Sequence, residues 1–403
     1  MASEMWKDEY FENFTSGETA YQELRKAQKA LEAESTWIPG VQDISIDPLD
    51  TPMEAEVRSL DPTNRIPKEV LLDTVDNIGL IAKIDGRPEC LRDCAIPSLL
   101  STLDIRGMGV FRPSRPQQAI ALTALLTGSR STSSALLRGG KIAAIVSPKF
   151  ADMPISELLD ITDDLEQYMG TSEFVGGCVS HSTTVAKFKY PACAKGITDA
   201  YRTTLAAFGR TLAPGQEIVP VVEFRSSDTS GEAAKLLTYL QLSPGHLMPV
   251  GEGVRVNHVN PMDLDSQGNR KTAMQKFMDD SMLLFSKLEY DVKTLLPEML
   301  ATPIEYPANT FIGLCKKAQI PQKWGGEVEE GLRNDWPDGS PCTFLDIYEA
   351  LTSITKKAQE DTSPYSSRLL DLEEAISRIA RNKAIWTRFD QPGTVAWVQA
   401  INK

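Results

Sequence analysis

Two apolar runs meeting at a pair of glycines restrict this chain more than any other feature. Ala135-Leu136-Leu137-Arg138 and Lys141-Ile142-Ala143-Ala144-Ile145-Val146 are separated only by Gly139-Gly140. A two-residue hairpin turn needs positive φ at both central positions, which glycine adopts without steric penalty. The spacing therefore predicts an antiparallel hairpin and a sheet at the heart of the fold. Residues 78–84, 185–190, 218–224, 234–242 and 254–259 add further strand-like runs bounded by polar turns.

Helical spacing of apolar residues recurs over 70–77, 97–103, 115–126, 154–169 and 197–209. From Thr272 onward the character becomes helical. Residues 274–300 read as one long amphipathic helix, with Phe277, Met278, Met282, Phe285, Leu288 and Val292 on one stripe. Helices over 309–317, 344–359 and 369–381 follow, and Thr343 with Asp346 forms a capping box at the start of the second. Residues 324–341, rich in glycine and charge, read as a loop. At the other end, Trp6, Tyr10, Phe11, Phe14, Tyr21, Leu24 and Leu31 predict a helix or helix pair over 5–34. Five prolines make 37–67 an extended acidic arm lying outside the core. The expected fold is α+β: a mixed, mainly antiparallel sheet core with packed helices, then a helical C-terminal domain. The expected division is 1–66, 67–265 and 266–403.

At 403 residues the chain is long enough for two or three domains, and 41% hydrophobic with 24% charged residues is an ordinary globular composition. No apolar run approaches the ~18 residues that cross a bilayer. The opening MASEMWKDEYFENF is acidic and lacks an apolar centre, which predicts no secretory signal. Six cysteines in such a chain point to reduced thiols in a cytosol.

Charge is unevenly spread about its net of −13. Residues 86–149 hold nine basic side chains (Arg87, Arg92, Arg106, Arg112, Arg115, Arg130, Arg138, Lys141, Lys149) against three acidic ones (Glu89, Asp93, Asp104). A local basic face binds phosphates even on an acidic protein. The alternative is a solvated surface on which opposite charges mix in three dimensions.

Searches for catalytic and metal motifs give fragments. Gly140-Lys141 lacks the upstream glycine and the hydroxyl of a phosphate loop. Gly107-Met108-Gly109 follows no βα unit. The calcium-loop-like run from Asp263 has Met274 where a bidentate Glu is required. Cys90 with Cys94, and Cys178 with His181, lack the compact spacing of zinc fingers. Cys178 with His181 also stands as a nucleophile–base pair, with Gly176-Gly177 as backbone donors, against a plain strand. These weigh against catalysis, and neither catalytic residues, metal nor cofactor is assigned.

Residues 220–264 carry a further pattern: Ser226-Ser227-Asp228-Thr229-Ser230-Gly231, then Arg255-Val256-Asn257-His258-Val259-Asn260. This resembles the phage- and plasmid-associated domain of unknown function 932 family, whose members place an Asn/Ser-Asp-Gly-like turn before a strand and end the sheet on Arg-Val/Ile-x-x-x-Asn. Val146-Ser147-Pro148-Lys149-Phe150 and residues 342–352 (CTFLDIYEALT) resemble two more of its segments, so the likeness covers about residues 80–375. The chain departs from it at 251–254, where glycine replaces an apolar lead. The resemblance implies a mobile genetic element and supplies no catalytic residues.

The expectation is a non-enzymatic, homo-oligomeric protein that binds single-stranded DNA in replication or recombination. The expected nucleic-acid contacts are Arg130, Arg138, Lys141, Lys149 and Arg225, with Arg138 and Lys141 together at an exposed hairpin tip. The alternative is a phage structural or protein-interaction protein assembled through its N-terminal arm. No membrane partner is expected.

Overall fold

The computed structural model describes residues 5–50, 59–63, 65–105, 113–129, 132–229, 231–264, 267–337, 339, 341–362, 365–393 and 397. Along the first part of the chain come β1 (Phe11–Phe14), α1 (Glu18–Ala33), β2 (Ser35–Val41), β3 (Ile44–Pro48), α2 (Lys68–Asp76), β4 (Leu80–Ile84) and β5 (Arg87–Leu91). Next are α3 (Ala95–Thr102), α4 (Arg115–Ser129), β6 (Ser133–Arg138), β7 (Lys141–Val146), α5 (Ile155–Asp164), α6 (Glu166–Met169), β8 (Glu173–Ser180) and β9 (Thr184–Lys189). Then follow α7 (Pro191–Ala207), β10 (Val219–Ser226), β11 (Ala234–Ser243), β12 (His246–Pro249) and β13 (Val254–Val256). The last part holds α8 (Ala273–Ser281), α9 (Leu284–Ala301), β14 (Pro303–Ile304), α10 (Pro307–Lys317), α11 (Gln322–Asp335), β15 (Cys342–Thr343), α12 (Phe344–Asp361) and α13 (Ser367–Arg381).

The fold is α+β, built on two sheets. One runs β1-β8-β9-β10-β11-β12, with β13 also paired to β11, and its pairings are antiparallel. The other runs β2-β6-β7-β5-β4-β3 and is mixed, because β5 and β7 are parallel. The Gly-Gly hairpin joins β6 to β7, and Gly139 and Gly140 sit at φ 54° and 76°, as that turn requires.

Alternation decides what each face of the first sheet meets. Phe188, Val222, Phe224 and Leu236 point to one side and pack with Leu24 and Leu31 of α1, Leu158 of α5 and Phe277 of α8. Their neighbours Lys187, Glu223 and Arg225 point to the other, where α13 supplies Glu373. The second sheet packs Ile46, Ala82, Leu91 and Ile142 against Leu99 of α3 and Leu122 of α4. At the end of β11 and in β12, Leu240, Leu242 and Met248 share a core with α7 and the C-terminal helices, so sheet and helices there are one hydrophobic unit.

Four expectations are corrected. Residues 5–34 are not helical throughout: Gly17, at φ 115°, stops the chain, so the aromatics at 11 and 14 lie in edge strand β1 and only Glu18–Ala33 is helix. The supposed outer arm supplies β2, paired with β6, and β3, paired with β4, so residues 35–48 belong to the sheet. The glycine-rich loop at 324–341 is largely helix α11, because Trp324 and Leu332 bury on one side and Gly325 admits the Trp397 ring. The long helix from 274 is interrupted between α8 and α9. Phe277 faces the core under the first sheet while Leu288 and Val292 face the C-terminal core. No helix among the described residues is long and apolar enough to cross a membrane.

Candidate ligand groove at the seam between the sheets

The basic residues named from the sequence are not gathered on one surface. Arg138 and Lys141 flank the hairpin turn as expected, yet both side chains are 0% exposed. The turn is folded into the seam between the sheets instead of projecting from it. Arg138 pairs with Asp228 and donates to Ser35 Oγ (2.7 Å) and the His181 carbonyl (3.1 Å). Lys141 pairs with Asp73 and, at 2.8 Å, with Asp8. Arg225 is buried too: it pairs with Glu223 and donates to Glu373 (2.9 Å) and the Leu370 carbonyl (3.1 Å). Lys149 is exposed, and Arg130 lies outside the described residues. The expectation of an exposed basic tip is therefore wrong. Three of the five cations spend their charge on carboxylates brought from distant parts of the chain.

The Arg225 site is an ionic layer on the first sheet. Lys187 lies 2.5 Å from Glu223 and 3.1 Å from Glu373. Burial pushes the Lys187 ammonium below its ordinary range, with Glu373 opposing. The layer holds α13 against β9 and β10.

Neither member of the Cys178–His181 pair suits nucleophilic catalysis. Burial pushes the Cys178 thiol up to about 12, and its side chain packs with Val185 and Leu370. His181 is pushed down to about 2, by burial first and then by Arg92 and Arg138. A thiol that stays protonated is a poor nucleophile. Among the described residues no three His, Cys, Asp or Glu side chains converge as a metal-ligand set.

What the structure does bring together is a polar groove of about 330 Å³ at the seam, between α3 and the end of β7 on one side and β13 on the other. Ser101, Thr102, Ser147, Arg255 and Asn257 line it, with Phe150 and His258 alongside. Phe150 bridges in β fashion to Val259, which ties the two walls together. The Phe150 and His258 rings stack, centroids 5.0 Å apart and 2° from parallel. His258 Nδ1 is 3.3 Å from the Ala151 carbonyl, so that nitrogen carries the proton; burial lowers the ring's pKa and keeps it neutral.

Among the described residues lining this groove, Arg255 supplies the cation. Its side chain is 61% exposed and its carboxylate neighbour, Glu374, is 3.9 Å away. Glu374 is itself held by Lys235 (2.8 Å) and Arg378 (2.9 Å). The sequence reading passed over Arg255 and Asn257 as site residues, although the signal was present. Arg255, Asn257 and Val259 are exposed while Val254, Val256 and His258 are buried, the alternation of a half-exposed strand.

The groove belongs to a two-sheet α+β protein whose seam offers a guanidinium, an aromatic pair and a rim of hydroxyl and amide groups. No protein-family model, no curated protein and no solved structure matches this chain.

Proposed function

We propose that this chain is a non-enzymatic, oligomeric protein of a phage or plasmid, acting in the host cytoplasm, that binds single-stranded nucleic acid along the seam groove. The observation that carries this reading is the mostly exposed Arg255 guanidinium beside the stacked Phe150–His258 pair. Single strands are held by cations that follow the backbone and by flat side chains on which bases stack. Exposed Lys149 is the sequence neighbour of Phe150 and adds a second cation at this wall. The resemblance of residues 226–231 and 255–260 to a mobile-element family supports the setting. Glu232 also lines the groove, so few phosphates are neutralised and a shallow salt dependence is expected.

A second reading draws on β1. It is an edge strand whose residues 11–13 are exposed, and such an edge suits a structural or protein-interaction protein assembled through its N-terminal segment. Titrating labelled single-stranded DNA at several salt concentrations separates the two. Saturable binding that weakens as salt rises supports the first reading; no binding at low salt leaves the second.

A further inference from the structure

Residues 5–14 are held in an unusual way for a segment of a folded chain. Met5 is buried and Trp6, Tyr10 and Phe14 pack at the margins of two hydrophobic clusters, while β1 leaves Phe11, Glu12 and Asn13 exposed. Side chains from elsewhere also grip its main chain. Arg92 donates to the Lys7 carbonyl at 2.7 Å and to the Met5 carbonyl at 3.0 Å. His181 Nε2 lies 3.0 Å from the Lys7 carbonyl, and its ring packs on Tyr10, centroids 5.2 Å apart. Residues 11–14 then pair with β8 as an added edge strand.

One carboxylate completes the grip. Asp8 accepts from Lys141 Nζ at 2.8 Å and from the Asp93 N–H at 3.2 Å, while its own N–H donates to Asp73 at 3.0 Å. Of the three buried cations here, Arg138 pairs with Asp228 and Lys141 has Asp73 besides Asp8. Among the described residues Arg92 lies within ion-pair distance of Asp8 alone, at 3.5 Å. Without the segment, a buried guanidinium would keep its fork of donors and lose its carboxylate, which makes a ready receptor for an anion.

The segment is also built to come away. Residues 15–17, which join it to α1, are exposed. Asp8, Tyr10 and Phe11 also line an open groove of about 770 Å³, with Cys178, Arg225 and Leu370 among the other lining residues. The segment therefore borders an open groove along part of its length.

We infer that the cleft formed by Arg92, Lys141, His181 and the edge of β8 is a peptide-binding site for an extended acidic segment, and that residues 5–14 fill it in cis. Recognition follows strand addition: main-chain bonds hold the peptide, and the Asp8 carboxylate supplies selectivity. A tethered ligand has a high effective concentration, so the intact chain excludes competing peptides of like affinity. This site does not depend on the nucleic-acid reading.

The test keeps the whole chain. A protease recognition sequence is inserted between Thr15 and Gly17 and cut after folding, and a fluorescent peptide of residues 5–14 is added. Saturable uptake by the cut protein, and none by the uncut protein, is expected. The Asp8→Asn peptide should bind roughly tenfold or more weakly, since hydrogen bonds to a charged group are the strong ones. A scrambled peptide that competes equally would overturn the proposal. So would a cut protein that never exchanges its fragment, or one that unfolds as the fragment leaves.

Discussion

Arg138, the last residue of β6, and Asp228, in the turn after β10, meet in an ion pair across the seam, ninety residues apart in sequence. Arg138 carries no exposed side-chain surface, so the pair belongs to the interior of the fold. Removing one partner of a buried pair strands the other as an uncompensated charge, at about 3–5 kcal/mol. Arg138→Ala should lower the thermal midpoint sharply. The double variant Arg138→Met, Asp228→Leu should recover much of the loss because neither charge is left behind. Thermal unfolding followed by circular dichroism reads both; an unchanged midpoint in Arg138→Ala would show that the pair contributes nothing.

A pH dependence follows from His181. Its folded pKa is held near 2 against an ordinary 6.5, chiefly by burial. Between those limits the unfolded chain binds a proton that the folded chain refuses, so stability rises with pH through the window. The contribution is intact above about pH 6.5. Below that it falls by up to about 1.4 kcal/mol per pH unit. His181→Gln should flatten the curve of thermal midpoint against pH between about 5 and 7. Parallel curves for the two proteins would place the titrating group elsewhere.

The sequence reading succeeded where the determinants are local. Gly139-Gly140 turns the hairpin because two adjacent positive φ values are needed at that spot. Thr343 and Asp346 cap α12 through bonds spanning three residues. It failed where the partner is remote. Nothing near Pro48 announces that residues 44–48 pair with β4, and Ser35 opposes Arg138 across more than a hundred residues. Arg138 and Lys141 look like solvated turn charges until Asp8, Asp73 and Asp228 arrive beside them. A charged letter carries no mark of whether its counter-ion will be water or a buried carboxylate. The groove at Arg255 was legible as an alternating strand but not as a site, because its second wall comes from residues 101–102 and 147–150.

Gly253 is held to glycine by its backbone and by a neighbouring strand. It sits at φ 60°, and a Cβ added there would fall 2.1 Å from the Leu236 carbonyl oxygen in the adjoining strand. Both the backbone region and the space demand glycine. Left-handed backbone alone costs an L-residue about 1–2 kcal/mol, and displacing β11 adds to it. Gly253→Ala should lower the thermal midpoint by several degrees. Gly86→Ala, at φ 78° with open space around it, should lower it less. Equal shifts would mean that the backbone region, and not the approach of β11, sets the cost.

The nucleic-acid reading rests on Arg255 and Phe150, and the two make separable contributions. Arg255 offers a charge to a phosphate, so Arg255→Ala should weaken binding of every single-stranded sequence alike and reduce the salt slope by roughly 0.7, the share of one phosphate contact on a single strand. Its side chain is mostly exposed and its ion-pair neighbour Glu374 keeps two other cations, so the fold should be unaffected. On this reading the half-buried Phe150, already stacked on His258, lends the groove its aromatic surface, and base stacking on an aromatic side chain is worth about 1–3 kcal/mol. Phe150→Leu should therefore weaken binding without changing the salt slope, while also loosening the packing against Trp37, whose ring centroid is 5.5 Å away. Arg138→Ala serves as the contrast: it should lower stability, and affinity measured well below its unfolding temperature should hold. Anisotropy titrations of one labelled oligonucleotide across a salt series give all three answers. If Arg255→Ala leaves both affinity and slope unchanged, phosphate binding at this groove is wrong, whatever the wild-type protein binds.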